Sequence, residues 1–89
     1  MADLRNIALY IARDSRTRAR TFIAELRAQA QKIGDAPHGY PLVPLYEASG
    51  VRRRPYGNYL LFYRVCDGEV SILHILHAAM DYEAILFPE

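Results

Sequence analysis

The chain has 89 residues, of which 52% are hydrophobic and 24% charged. This length and composition predict one small globular domain over residues 1–89 and exclude a disordered or fibrous protein. No apolar run approaches the length of a membrane span and the N-terminus is polar, so the sequence predicts a cytoplasmic protein without a membrane anchor. Residues 1–64 contain all eleven Lys and Arg and five of the ten acidic residues, a charge of +6, whereas residues 65–89 carry −5; a basic body of this kind favours an acidic peptide or a nucleic acid as partner.

The first half of the sequence predicts two antiparallel helices. Apolar residues recur at i, i+3, i+4 and i+7 in a first stripe, which consists of Leu4, Ile7, Ala8 and Ile11. A second stripe follows with helical spacing and comprises Ala19, Phe22, Ile23, Leu26, Ala30 and Ile33. Either Asp14 or Ser15 is suited to cap the second helix. Because so few residues separate the stripes, we expect a helical hairpin with one shared apolar seam.

The end of the second helix and its outer surface are also predicted. We expect Gly34 to end the helix in the left-handed conformation, and Pro37 to prevent its continuation. Three cations, Arg16, Arg20 and Arg27, recur at spacings of four and seven and are expected on one outward face. This face is a candidate contact surface, although ordinary solvated arginines show the same pattern.

Residues 35–50 predict a connecting loop, because they have no sustained apolar period and contain five Pro and Gly residues. Four apolar residues of this loop are expected to anchor it on the core: Leu42, Val43, Leu45 and Tyr46.

From residue 51 the apolar period changes to two, which predicts strands. The run Tyr59–Cys66 is apolar on both faces, as expected of a central strand covered on one face and partly on the other, and Cys66 is expected to be a buried, inert thiol. Asp67-Gly68 predicts a type I′ hairpin turn. In the next strand, strict alternation places Val70, Ile72, His74 and Leu76 on one face and Ser71, Leu73, Ile75 and His77 on the other. The predicted fold class is therefore α+β, with an N-terminal antiparallel helical hairpin packed on a C-terminal antiparallel β-meander of about three strands.

Several short motifs, taken in order, resemble the ParE-type toxins of the ParE/RelE toxin-antitoxin superfamily. The most informative is the stretch of residues 50–65, Gly-Val-Arg-Arg-Arg-Pro-Tyr-Gly-Asn-Tyr-Leu-Leu-Phe-Tyr-Arg-Val, followed by Asp67-Gly68. The opening Ala2-Asp3-Leu4-x-x-Ile7-x-x-Tyr10-Ile11-Ala12 is similar to the first helix of the family, and Phe22-Ile23-x-x-Leu26 to the second. The segment of residues 75–81, Ile-Leu-His-Ala-Ala-Met-Asp, resembles the C-terminal segment of family members. The resemblance implies a RelE/ParE-like fold over nearly the whole chain.

Two departures from the family pattern bear on function. Family members usually begin with a strand before the first helix, and this chain begins at the helix itself. We expect the lost strand to leave a sheet edge open to an antitoxin strand, another copy of the chain or an aggregate. Met80 stands where relatives often carry Arg, which removes a cation from the C-terminal part.

The resemblance implies the toxin component of a type II toxin-antitoxin system, which inhibits DNA gyrase and so DNA replication. It implies a binding mechanism in a bacterial cytoplasm, with no enzymatic activity, cofactor or metal. The candidate gyrase-binding residues are Arg52, Arg53, Arg54, Tyr82 and Phe87.

The resemblance also implies neutralisation by a ParD-like antitoxin, whose disordered arm folds onto the toxin in a toxin-antitoxin heteromer; a homo-oligomer is a further expectation. The candidate antitoxin-binding residues are Leu4, Ile11, Arg16, Arg20 and Phe22. The apolar members of this set fit the intramolecular core equally well, and for Phe22 the core is the favoured interpretation.

Two alternatives remain open at this point. A RelE-like ribosome-dependent mRNA endonuclease needs a base, an acid and cations on the phosphate. Tyr82 and His77 are suited to proton transfer and Arg54 or Arg64 to phosphate binding, but the chain has no Lys or Arg beyond Arg64, so the set is incomplete. The other alternative is an inactive family member that retains only antitoxin binding. A metal site formed by His74 and His77 is disfavoured, because their side chains point to opposite faces of a strand.

Overall fold

The computed structural model of the protein describes residues 2–88, apart from the side chains of Ala2 and Asp3. The ends of the predicted domain, Met1 and Glu89, and the first two side chains of the family motif therefore lie outside the described residues. The elements are α1 (Ala2–Ala12), α2 (Arg16–Asp35), a 3-10 turn (Glu47–Ser49), β1 (Arg52–Tyr56), β2 (Tyr59–Cys66), β3 (Glu69–His77) and α3 (Tyr82–Leu86). The strands form an antiparallel sheet in the order β1-β2-β3. The predicted α+β fold, a helical hairpin followed by a three-stranded meander, is confirmed.

The second helix begins as predicted and ends later than predicted. Ser15 is its N-cap, since its Oγ accepts a hydrogen bond from the Arg18 backbone N–H at 3.1 Å. Gly34 lies inside the helix, so the prediction that Gly34 ends it in the left-handed conformation is wrong. The fully buried Ile33 holds the last turn on the core, and the chain leaves the helix at Ala36, directly before Pro37.

The hairpin between β2 and β3 has the backbone that the sequence predicts. Asp67 and Gly68 have φ angles of 51° and 78°, the two positive values that a type I′ turn requires. None of the helices formed by residues 2–88 is both long enough and apolar enough to cross a membrane.

A β-bulge in β3 changes which side chains share a face. Phe62 pairs with His74, whereas its neighbour Tyr63 pairs with Ile72, so Leu73 is an extra residue without an opposite partner in β2. The prediction of strict alternation along β3 is therefore wrong. Val70 and Ile72 lie on the face of Ile75, and Leu73 lies on the face of Leu76.

The sheet has a core on each face. The first core lies between the sheet and the helical hairpin, and its buried residues are Ile7, Phe22, Leu26, Ile33, Leu61, Tyr63 and Ile75. The second core lies on the opposite face under the loop and α3, and its buried residues are Val43, Val51, Leu60, Phe62 and Leu76. Tyr46, Tyr82, Leu86 and Phe87 cover the second core. The prediction that β2 is a central strand with coverage on both faces, partial on one of them, is confirmed: Leu61 and Tyr63 are buried in the first core, and Leu60 and Phe62 in the second.

Two further predictions about burial are wrong. Cys66 is exposed, because alternation along β2 places it on the face of Leu60 and Phe62, beyond the residues that the second core buries. Leu45 is 85% exposed, whereas Val43 is fully buried and anchors the loop as predicted. The Tyr46 N–H donates to the Val43 carbonyl at 3.1 Å, and this tight turn gives Leu45 a φ of 70° and directs its side chain outward.

Candidate partner-binding surfaces

A groove runs along the outer side of the helical hairpin, and we call it the helical groove. It is an open cavity of about 520 Å³ lined by Arg5, Ala8, Leu9, Ala12, Arg16, Ala19, Arg20, Ile23, Ala24 and Arg27. Four of the ten lining residues are alanines, whose short side chains leave the space between the helices unfilled. The groove therefore has an apolar floor and a rim of four arginines.

The arginines of the helical groove have no acidic partner among the described residues. Within residues 2–88 the ion pair found is Arg18–Glu25, with 2.6 Å between Nη1 and Oε2. Arg5, Arg16, Arg20 and Arg27 are all exposed. A partner that carries carboxylates next to apolar side chains matches this surface, because Arg binds carboxylates with two parallel hydrogen bonds.

The candidate antitoxin-binding residues separate into two groups. Arg16 and Arg20 lie on the rim of the helical groove. Leu4 and Ile11 are half-buried against the first core, and Phe22 belongs to the core itself. The structure thus brings together only the two cations of this set on an outward surface. Leu9, which is 60% exposed, supplies part of the apolar floor. Leu9 follows Arg5 by four residues, and this helical spacing is the sequence signal that places both side chains on the groove side of α1.

On the other side of the sheet, Arg53 lies beside the aromatic residues Tyr46, Tyr82 and Phe87. We call the surface formed by these four residues the aromatic face. Nη1 of Arg53 donates to the Tyr82 hydroxyl at 3.0 Å. The rings of Tyr46 and Phe87 are stacked, with centroids 4.1 Å apart and planes 3° apart. Three of the five candidate gyrase-binding residues, Arg53, Tyr82 and Phe87, therefore lie together, and Tyr46 joins them.

The remaining two candidates, Arg52 and Arg54, lie on the opposite face, because side chains alternate along β1. Arg52 Nη1 donates to the Tyr40 carbonyl at 2.6 Å, and Arg54 Nε donates to the Tyr40 hydroxyl at 3.0 Å. The Arg54 guanidinium also lies 5.2 Å from the Tyr40 ring centroid and 5.9 Å from that of Tyr56. The arginine triplet is thus divided between two surfaces and does not form one basic patch.

A hydrogen-bonded group joins α2 to the tip of the β1–β2 hairpin. The Tyr56 hydroxyl donates to Oε1 of Glu25 at 2.6 Å, and Arg18 donates to Oε2. The hydrogen bond from Tyr56 is the main cause, and the one from Arg18 the second, that holds the pKa of Glu25 below its ordinary value. The same hydrogen bond raises the pKa of Tyr56. Both shifts have structural causes and neither group lines the helical groove or the aromatic face.

The side chains proposed for RNA cleavage do not converge on one position at which a phosphate group could bind. Tyr82 packs on Phe62, with ring centroids 5.1 Å apart, on the face of the second core. His77 lies on the opposite face, where its ring is edge-on to Tyr59 and its Nδ1 accepts the Ala79 N–H. Arg64 donates to the Ser49 carbonyl at the far end of β2.

The two strand histidines lie on opposite faces of the sheet. His74 pairs with Phe62 of the second core, and His77 pairs with Tyr59, which packs against the first. Across the part of the chain that the structure describes, no three His, Cys, Asp or Glu side chains come together as metal ligands do.

Comparison with known proteins agrees with this architecture. The family model described as the ParE toxin of the type II toxin-antitoxin system parDE matches residues 1–82. A search of curated protein sequences found no match. The matched segment runs from α1 to the first residue of α3, so it includes the helical groove, the sheet and both cores. The chain therefore belongs to the ParE toxin family of type II toxin-antitoxin systems.

Proposed function

We propose that this ParE-family toxin acts in the bacterial cytoplasm by binding DNA gyrase and stabilising its cleaved DNA intermediate, and that a ParD-like antitoxin neutralises it. The observation that carries the proposal is the presence of two separate candidate surfaces, the helical groove and the aromatic face, on a chain of this family. Two surfaces on opposite sides of the sheet suit a protein with both an inhibitor and a target.

The helical groove supports the antitoxin part of the proposal. Its apolar floor and its four arginines, which form no ion pair with a described residue, are complementary to an acidic amphipathic segment that becomes ordered on binding. Arg16 and Arg20 keep their predicted role as contacts of such a segment. Leu4, Ile11 and Phe22 contribute by holding the hairpin on the sheet.

The aromatic face supports the gyrase part. It offers aromatic side chains and an arginine, the residue types that dominate the binding energy of protein interfaces. Leu45, which precedes Tyr46 and is almost fully exposed, adds apolar surface at its border. The division of the arginine triplet makes Arg53 the preferred contact and gives Arg52 and Arg54 a supporting role on the far side of β1.

The endonuclease alternative receives less support, because Tyr82 and His77 lie on opposite faces of the sheet. A general acid and a general base must both reach the same phosphate, within about 3 Å of the protons that they move. We therefore infer a binding mechanism rather than RNA cleavage.

A gyrase assay tests the proposal. Purified chain is incubated with gyrase, relaxed plasmid and ATP, and supercoiling and detergent-released linear DNA are measured. We expect linear DNA above background, and a reduction of at least about tenfold for Arg53→Glu combined with Tyr82→Ala, since interface anchors of these types commonly contribute 2 kcal/mol or more. Arg13→Glu, an exposed change away from the aromatic face, is the matched control.

The same preparations distinguish the alternatives. Ribosome-dependent mRNA cleavage without linear DNA would replace gyrase by the ribosome as the target. Binding of ParD antitoxin arms without growth arrest or either activity would identify a family member that retains only antitoxin binding. Arg16→Glu with Arg20→Glu is expected to weaken binding of those arms and to leave the gyrase effect unchanged.

A further inference from the structure

The outward side of α3 is complementary to the helical groove. Ile85 is 40% exposed there and lies one helical turn after Asp81, with Glu83 between them in the sequence. A second open cavity of about 430 Å³ is lined by Asp81, Glu83 and the stacked pair Tyr46 and Phe87. Carboxylates next to aromatic rings suit a guanidinium group, which pairs with the former and stacks on the latter.

We propose that the outward side of α3 in one molecule docks in the helical groove of a second copy of the chain. Ile85 of the first copy lies on the alanine floor of the groove. Asp81 and Glu83 face the rim arginines Arg16 and Arg20, and one of these guanidinium groups enters the acidic and aromatic cavity.

Among the described residues, the charges of the two surfaces form no ion pair within one molecule. Among the described residues, no cation lies within ion-pair distance of Asp81 or Glu83, and no carboxylate lies within that distance of Arg16 or Arg20. Four cations thus form one patch along the groove, and two carboxylates form another beside α3. Such patches attract each other between copies.

The two surfaces cannot meet within one molecule. Tyr82 and Phe87 hold α3 on the second core, and the groove lies beyond the first core, on the far side of the sheet and of the hairpin. A contact between two different surfaces is head-to-tail, and it extends into open chains of molecules unless the rotation between copies closes a ring. The expected association is therefore concentration-dependent and has no fixed stoichiometry.

The contact is small and polar, so it is weak and sensitive to salt. Exposed ion pairs contribute about 0–1 kcal/mol each and are screened within about 10 Å at 0.1 M salt. Association at low salt and its loss at high salt distinguish this contact from aggregation of apolar surface, which salt does not reverse.

Sedimentation velocity at low and high salt tests the proposal with two charge-reversed variants. The groove variant carries Arg16→Glu and Arg20→Glu, and the tail variant carries Asp81→Lys and Glu83→Lys. The groove variant cancels the charge of the four-arginine rim, and the tail variant makes both surfaces basic, so each is expected to stay monomeric alone. In a one-to-one mixture the unaltered α3 side of the groove variant docks in the unaltered groove of the tail variant, and we expect the weight-average mass to rise to about twice that of the 10.2 kDa chain.

The mixture has opposite net charges, which attract without any specific contact, so a second pair of variants matches those charges elsewhere. Arg13→Glu with Lys32→Glu matches the groove variant, and Asp35→Lys with Glu69→Lys matches the tail variant. All four positions are exposed and lie outside the helical groove and α3. Each control variant is expected to associate like the unaltered chain, and circular dichroism establishes that every variant is folded.

Three outcomes would overturn the proposal. The first is a chain that stays monomeric at low salt, which would leave the antitoxin segment proposed above as the sole occupant of the groove. The second is association that survives in both surface variants. The third is a mixture of the control variants that gains as much mass over its separate components as the mixture of the surface variants does, which would attribute the gain to net charge alone. None of these results bears on gyrase inhibition, so the two proposals fail separately.

Discussion

The two faces of the sheet are covered in different ways. On one face, α1 and α2, with 11 and 20 residues, bury the first core under two long regular elements. On the other face, a loop and the five-residue helix α3 cover the second core, and much of their contact is made by aromatic rings. The difference indicates that the helical hairpin supplies most of the stability of the fold, whereas the cover of the second core depends on a few side chains.

The largest expected effect is on the first core. Leu26 is fully buried in it, and Leu26→Ala is expected to lower the free energy of unfolding by about 3 kcal/mol through lost burial and a cavity. For a domain of this size that is a large share of the total stability. Urea denaturation measures it, and Leu45→Ala, which removes the same atoms from an exposed site, is expected to change little. A cost below about 1 kcal/mol would show that the hairpin is not the main support.

A smaller and local effect is expected on the second core. Phe87→Ala removes the ring stacked on Tyr46 and is expected to cost about 1–2 kcal/mol, less than a fully buried phenylalanine. Hydrogen exchange of residues 82–87 should accelerate while the amides of β2 and β3 keep their protection. Uniform loss of protection across the sheet would contradict the contrast between the two faces.

The third effect concerns a hydrogen bond that connects the first core to the loop. The hydroxyl of the fully buried Tyr63 donates to the Pro37 carbonyl at 2.7 Å, directly after α2. Tyr63→Phe is expected to cost about 1 kcal/mol, because the carbonyl loses its partner. The control is Tyr46→Phe, whose hydroxyl makes no hydrogen bond to a described residue. Equal costs for the two substitutions would indicate that the Tyr63 hydroxyl contributes nothing specific.

The smallest effect depends on pH and concerns Glu25, which joins α2 to the β1–β2 hairpin. Its folded pKa lies below the ordinary value of 4.5, so its contribution to stability is present above that pH and is lost as the pH falls through the lower, folded value. We expect the difference in Tm between the unaltered chain and Glu25→Gln to be constant near pH 6 and to shrink below about pH 4.5. Glu69→Gln, at an exposed carboxylate without an ion pair among the described residues, is the control. A difference in Tm that does not vary with pH would exclude a contribution from the ionised Glu25.

The sequence predicted those parts of the fold that local patterns determine. The helical stripes, a cap at Asp14 or Ser15 and the Asp67-Gly68 turn each depend on residues close together in the chain, and all three were found, the cap at Ser15. Gly34 and Leu73 were misjudged because their conformations depend on tertiary contacts. The buried Ile33 extends α2 past Gly34, and the bulge at Leu73 depends on the pairing with β2.

The candidate surfaces were predictable only in part. The spacing of Arg16, Arg20 and Arg27 indicated one outward face, and this face became the rim of the helical groove. Alternation along β1 was available to separate Arg53 from its neighbours, but the placement of Tyr46 and Tyr82 beside Arg53 required the course of the loop and of α3. Neither follows from a local period, because both are determined by which apolar side chains cover Phe62.

The bulge at Leu73 makes the length of β3 as important as its composition. Its single extra residue places Val70 and Ile72 on the helical side while Leu76 faces α3. A deletion at this point would restore strict alternation and exchange the surroundings of the three or four residues nearest the hairpin tip. Substitutions between residues 69 and 73 are therefore tolerated far more readily than any insertion or deletion, and relatives that vary in length are expected to differ at the hairpin turn instead.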